Sequence, residues 1–121
     1  PRRRPGTEGG VVGEAGFVGI LSVDLQLPAS SSLKQKRKHL RRLKAALVKR
    51  FACSVAEVDH HDLWQRTRLT LALVETDASE AEARVQDASR AIHADPEFVV
   101  LGESRDLVEG AGEFAGTWGS G

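Results

Sequence analysis

Apolar and polar residues alternate along the chain from position 17. Phe17, Leu21, Val23, Leu25 and Leu27 share one face of an extended segment, and Ser22, Asp24 and Gln26 share the other. This predicts a first strand over 17–27, closed by Pro28, which cannot continue a ladder. Val18 and Ile20 make the first half of its second face apolar as well. From residue 33 the period lengthens. At about 100° per residue, Leu33, Leu40, Leu43, Leu47 and Phe51 fall within an arc of about 80°, so a helix is predicted over 33–51. Ser30, Ser31 and Ser32 supply its N-cap candidates.

The segment 53–58 reads as a second strand, and the polar run Asp59-His60-His61-Asp62 as a loop or hairpin turn in which Asp62 is the expected cap. A third strand is predicted over 64–75, with Leu69, Leu71 and Leu73 on one face and Ala72 and Val74 on the other. Apolar character on both faces marks a central strand, or one whose second face meets a partner. Trp64, at its start, is expected as a core anchor whose indole N–H needs an acceptor. A second helix over 80–94 follows, with Asp77 and Glu80, or Ser79 and Glu82, as a capping box and Ala81, Val85, Ala88 and Ile92 as its buried stripe. Beyond Pro96, residues 98–107 give the last strand.

The order β-α-β-β-α-β, with a hairpin between strands two and three, predicts an α+β ferredoxin-like fold. Its four-stranded antiparallel sheet would carry two helices on one face, and right-handed crossovers would put strands one and three in the middle. Residues 16–109 form the expected domain. Residues 1–15 and 110–121 are Gly, Pro and charge without periodicity, and read as disordered tails.

Composition adds limits. The 121 residues, 40% hydrophobic and 28% charged, suit one soluble domain with one core. No apolar run approaches the roughly 20 residues that span a bilayer. The N-terminal segment lacks the apolar stretch of a secretory signal, and the single Cys53 cannot form an internal disulfide, so a cytoplasmic location is expected. Without Met and beginning at Pro1, the chain fits a fragment or a processed end.

Net charge is zero but segregated. Residues 1–50 hold 12 Lys/Arg against 3 Asp/Glu, and residues 51–121 hold 5 against 14. Between Leu25 and Ala56 there is no acidic residue, while nine Lys/Arg lie between Lys34 and Arg50. Lysines and arginines on one helix face contact successive phosphates and release counterions, which suits structured RNA recognised by shape and charge. The predicted nucleic-acid-binding set is Lys34, Lys36, Arg37, Lys38, Arg41 and Arg42, with Lys36 at an edge of the apolar arc. The competing reading is a solvated face paired with acids of the second helix or fourth strand. Base stacking on the sheet is not expected, because strand one offers no aromatic on that face. Val18, Ile20, Ala72 and Val74 instead suggest an apolar patch through which the chain would form a homodimer.

Three segments carry a family resemblance. Leu25-x-Leu-Pro-x-x-x-Ser-Leu-Lys-x-Lys-Arg37, then Ser54-Val-Ala-Glu-Val58, then Asp62-Leu-Trp-Gln-Arg66, resemble the YlxP-like family of small bacterial proteins. The resemblance spans roughly residues 16–109 and implies a ferredoxin-like fold of unassigned activity. Genes of the family often lie beside those of translation initiation factor two and a ribosome-binding factor of the small subunit. Ribosomal RNA or the small subunit is the partner this implies, by analogy only.

Enzymatic chemistry is not expected. Cys53 has no evident base, no phosphate-binding glycine loop is present, and Glu80 and Glu82 belong to helix capping. No cofactor is implied. Adjacent histidines in a tight turn seldom serve one ion, and His39 and His93 lie on different helices, so no metal site is assigned.

Overall fold

The computed structural model describes residues 12–110, with side chains from residue 15. In chain order the elements are β1 (Val12–Gln26), α1 (Leu33–Phe51), β2 (Ser54–Asp59), β3 (Arg66–Asp77), α2 (Ala78–His93) and β4 (Val99–Glu109). The strands form one antiparallel sheet in the order β2-β3-β1-β4, with β1 and β3 central. The fold is the ferredoxin-like α+β arrangement. Of the segments expected to be tails, residues 12–15 belong to β1, and 1–11 and 111–121 lie outside the described residues.

Alternation along β1 sorts its two faces. Phe17, Leu21, Val23 and Leu25 are buried under the helices, and Val18, Ile20, Ser22 and Asp24 lie on the open side. Leu69, Leu71 and Leu73 of β3 complete the covered face. Against it pack Leu40, Leu43, Leu47 and Phe51 of α1 and Ala78, Ala81, Val85, Ala88 and Ile92 of α2. Each fully buried leucine contributes about 1.5–3 kcal/mol relative to an exposed one. Gly16, with φ 77°, lies where the β1–β3 register shifts, and its backbone passes so near β3 that a Cβ would stand 2.9 Å from the Glu75 carbonyl oxygen.

The helix ends follow local chemistry. Ser32 caps α1 by accepting from the Gln35 N–H at 3.1 Å, while Gln35 Oε1 accepts from the Ser31 N–H at 2.8 Å, a reciprocal box. Asp77 caps α2 by accepting from the N–H groups of Ser79 and Glu80. At the other end of α1, the Arg84 guanidinium donates to the Phe51 carbonyl and to the Glu75 carboxylate, tying both helices to β3. No helix among the described residues is long and apolar enough to cross a membrane.

The β2–β3 connection departs from expectation. β3 begins at Arg66, not Trp64, and Trp64 is 55% exposed. The reason is local: the Leu27 N–H donates to the Gln65 carbonyl at 2.9 Å, and Trp64 lies beyond that link and outside β3. The indole is thus no core anchor. Nor does Asp62 cap the turn. Asp59 does, its Oδ1 accepting from the His60 N–H at 2.7 Å.

Candidate nucleic-acid interface

The six cations predicted to line one surface of α1 divide three ways. Lys34, Arg37, Lys38 and Arg41 are exposed at i, i+3, i+4 and i+7, a single stripe on the helix. None of the four has a carboxylate partner among the described residues. Arg42 is engaged: its guanidinium forks onto Asp95 with contacts of 2.8 and 3.0 Å. Burial alone would raise the Asp95 carboxyl, but the Arg42 hydrogen bond, the Glu97 N–H and the Arg42 charge together hold it below the usual range. His39, beside Arg42 on the helix, lies 3.6 Å from Glu97.

Lys36 leaves the predicted surface set altogether. It is 1% exposed, because its position on α1 falls among Leu40, Leu43 and Leu47 rather than beside them. Its ammonium lies 2.9 Å from Glu57 Oε2 and donates to the carbonyls of His60, at 2.6 Å, and His61, at 3.3 Å. Glu57 also accepts from the buried Thr67 hydroxyl at 2.6 Å. Burial pushes the Glu57 carboxyl up, and the hydrogen bonds from Thr67 and Lys36 with the Lys36 charge outweigh it, leaving the carboxyl below its ordinary value. Lys36 is a tie between α1 and the hairpin turn.

A helix with no acid in its first turn and cations at Lys34, Lys36 and Arg37 runs against its own dipole, which favours negative charge there by about 0.3–1 kcal/mol per group. The pairing expected of a merely solvated face is met by Arg42, and not by the stripe of four. Salt would screen a surface of this kind over about 10 Å at 0.1 M.

On the open face of the sheet, rows run from apolar to charged. Val18 pairs across to Val74 and Val108, and Ile20 to Ala72. Ser22 bonds Thr70 at 2.8 Å in the middle. At the lower end Asp24 takes contacts from Arg66 and Arg68. His60 Nε2 is 3.3 Å from Asp24, close enough for charge pairing but not aligned as a hydrogen bond. Desolvation would raise the Asp24 carboxyl; the Arg68 hydrogen bond and the charges of Arg68, Arg66 and His60 bring it below the usual range. His61 turns instead to the Glu57 carbonyl, so the two neighbouring histidines serve different partners. No group of three or more metal-ligating side chains occurs among the described residues. Cys53 is half-buried and donates to the Leu47 carbonyl, and burial pushes its thiol up, away from the reactive thiolate.

Sequence reasoning missed Trp64 as a surface residue. The signal was present: an indole inside the polar run from Asp59 to Arg66 is poorly placed to begin a buried strand. The structure also brings together the segments 25–37, 54–58 and 62–66. Lys36 meets Glu57, and Gln65 Nε2 donates to the carbonyls of Pro28 and Ser30 at 3.3 and 3.0 Å. Those contacts fasten the start of α1, β2 and the hairpin turn into one end of the domain.

A family described as "Protein of unknown function (DUF503)" matches residues 18–105. The "Uncharacterized protein YlxP" of Bacillus subtilis (strain 168) is 29% identical over 82 residues, which cover 68% of this chain and 89% of that relative. With most of the folded chain matched, from β1 through to β4, the protein belongs to the DUF503 family.

Proposed function

We propose that this protein is a small cytoplasmic accessory factor that binds structured RNA of the small ribosomal subunit through α1 and performs no chemistry itself. The observation that carries the reading is the stripe Lys34, Arg37, Lys38 and Arg41, exposed and without carboxylate partners among the described residues. Those residues span roughly 10 Å along the helix axis, enough to meet more than one phosphate of a strand. Binding of this kind is driven by counterion release and is indifferent to sequence, because the deep groove of A-form RNA hides its base edges. The ribosomal partner rests on the gene company of the YlxP-like family.

The test is titration of the full chain with small-subunit ribosomal RNA across a salt series. Lys34→Glu/Arg37→Glu/Arg41→Glu runs beside it, with Lys36 left intact because it holds the fold. The wild type should bind with a log–log salt slope that the variant loses, at about 0.7–0.9 per phosphate contact removed. Equal affinities for the two proteins at moderate salt would overturn the assignment to α1.

A second reading is a protein–protein module without nucleic-acid binding, dimeric through the open sheet face. It is favoured by Val74, 66% exposed in the same row as Val18 and Val108. Bulk RNA would then fail to displace the partner.

A further inference from the structure

Trp64 is the only Phe, Tyr or Trp side chain among the described residues that is not buried, and Leu63 beside it is 48% exposed. A half-exposed indole on a loose loop would be unremarkable. This one sits on a pinned turn. Before it, Lys36 Nζ donates to the His60 and His61 carbonyls, and the Leu63 N–H donates to the His60 carbonyl at 3.1 Å. After it, the Gln65 carbonyl accepts from the Leu27 N–H, and the Gln65 amide reaches Pro28 and Ser30. Trp64 lines a wide-mouthed hollow of about 390 Å³ with Asp62, Leu63, Gln65 and Arg66.

The element that pins this turn is the one that carries the unpaired cations. Lys36 itself points into the core, but Gln65, next to Trp64, reaches Ser30, which precedes the Ser32 cap, so the turn stands at the N-terminal end of α1, where Lys34 begins the exposed stripe. Among the described residues the open sheet face has no aromatic, and Trp64 on the turn is the exposed ring on which a base could stack. Aromatic planes beside phosphate-binding cations are how proteins hold unstacked nucleotides.

We propose that Trp64 stacks on an unpaired base of the RNA whose backbone α1 contacts, so that the protein selects a bulge or a duplex–single-strand junction over uninterrupted duplex. This rests on the RNA reading of α1 and adds the feature of the RNA that is read. The α1 cations select the phosphates of the duplex; the indole accepts any base, since each has a π-face.

The chain has two tryptophans, so the measurement uses a full-length Trp118→Phe background in which Trp64 is the only indole. Two synthetic blunt-ended RNA duplexes are compared, identical except for a one-nucleotide bulge. The bulged duplex should quench Trp64 emission, and the uninterrupted one should not. Trp64→Ala should weaken the bulged complex roughly 5- to 150-fold, with Trp64→Phe recovering part of it. The same substitution should leave binding to the uninterrupted duplex, the salt slope and the thermal melting of the protein unchanged. No loss on Trp64→Ala, or an equal loss on both duplexes, overturns stacking and leaves the α1 reading standing. Absence of binding to either duplex by the parent chain overturns both. If Trp64 emission then shifts with protein concentration alone, the turn is a contact between copies of the protein.

Discussion

Lys36 shows how a single buried charge is made tolerable. Its ammonium has a carboxylate and two carbonyl oxygens around it, and the carboxylate of Glu57 has Thr67 as a further donor. Breaking a buried pair by removing one partner leaves the other charge uncompensated, at a cost of about 3–5 kcal/mol. Lys36→Met should therefore lower the urea midpoint strongly, and Lys36→Met/Glu57→Gln should recover part of the loss. A double variant no more stable than the single one would show that packing, not charge, is what Lys36 supplies. The carboxyls of Glu57, Asp24 and Asp95 are all lowered in the folded chain. Their stabilisation is thus whole above the unfolded carboxyl values near 4 and is lost as pH falls through the lower folded values. Acid unfolding followed by circular dichroism should begin below about pH 4. Glu57→Gln should flatten that limb while lowering stability at pH 7.

At the scale of elements, α1 was legible almost to the residue, because a 3.6-residue stripe and a serine cap leave little freedom in where it begins. Which of its polar positions reach water was not legible. Lys36 lies among the apolar positions, and only the arrival of Glu57 and the β2–β3 turn makes its burial possible. Since Lys34, Arg37 and Arg41 have no partner to lose among the described residues, reversing all three should leave the melting temperature close to that of the wild type. A large drop would mean they stabilise the fold. Helix α2 is placed by small residues. A Cβ at Gly19 would stand 2.6 Å from Val85 Cγ2 and 3.3 Å from the Ala81 carbonyl oxygen, and neither a β-branched side chain nor helix backbone moves away cheaply. Gly19→Ala should cost about 1–3 kcal/mol in chemical denaturation. Gly102→Ala, where a Cβ would meet nothing within 4 Å, is the control and should stay within about 0.5 kcal/mol.

Over the whole molecule, one face of the sheet is sealed by two helices and the other presents a graded surface, apolar near Val18 and Val74 and charged near Asp24, Arg66 and Arg68. If that face closes a homodimer, Val74→Lys should convert the sedimenting species from dimer to monomer without unfolding it. An unchanged sedimentation coefficient would remove the dimer reading. The sequence by itself determined the element order, the central place of β1 and β3, and the face that each of those two strands buries. Those properties follow from periodicity and chain connectivity, which are local or nearly so. Tertiary structure alone decided that Lys36 is a tie and not a contact and that Arg42 belongs to Asp95, and it settled the exposure of Trp64, at which the polar run around it only hinted. Each of these depends on what residues 21 or more positions away bring to the same place, as Glu57 does to Lys36 and Asp95 to Arg42. Periodicity assigns a residue to a face, but long-range pairing determines whether its charge or ring is left for another molecule.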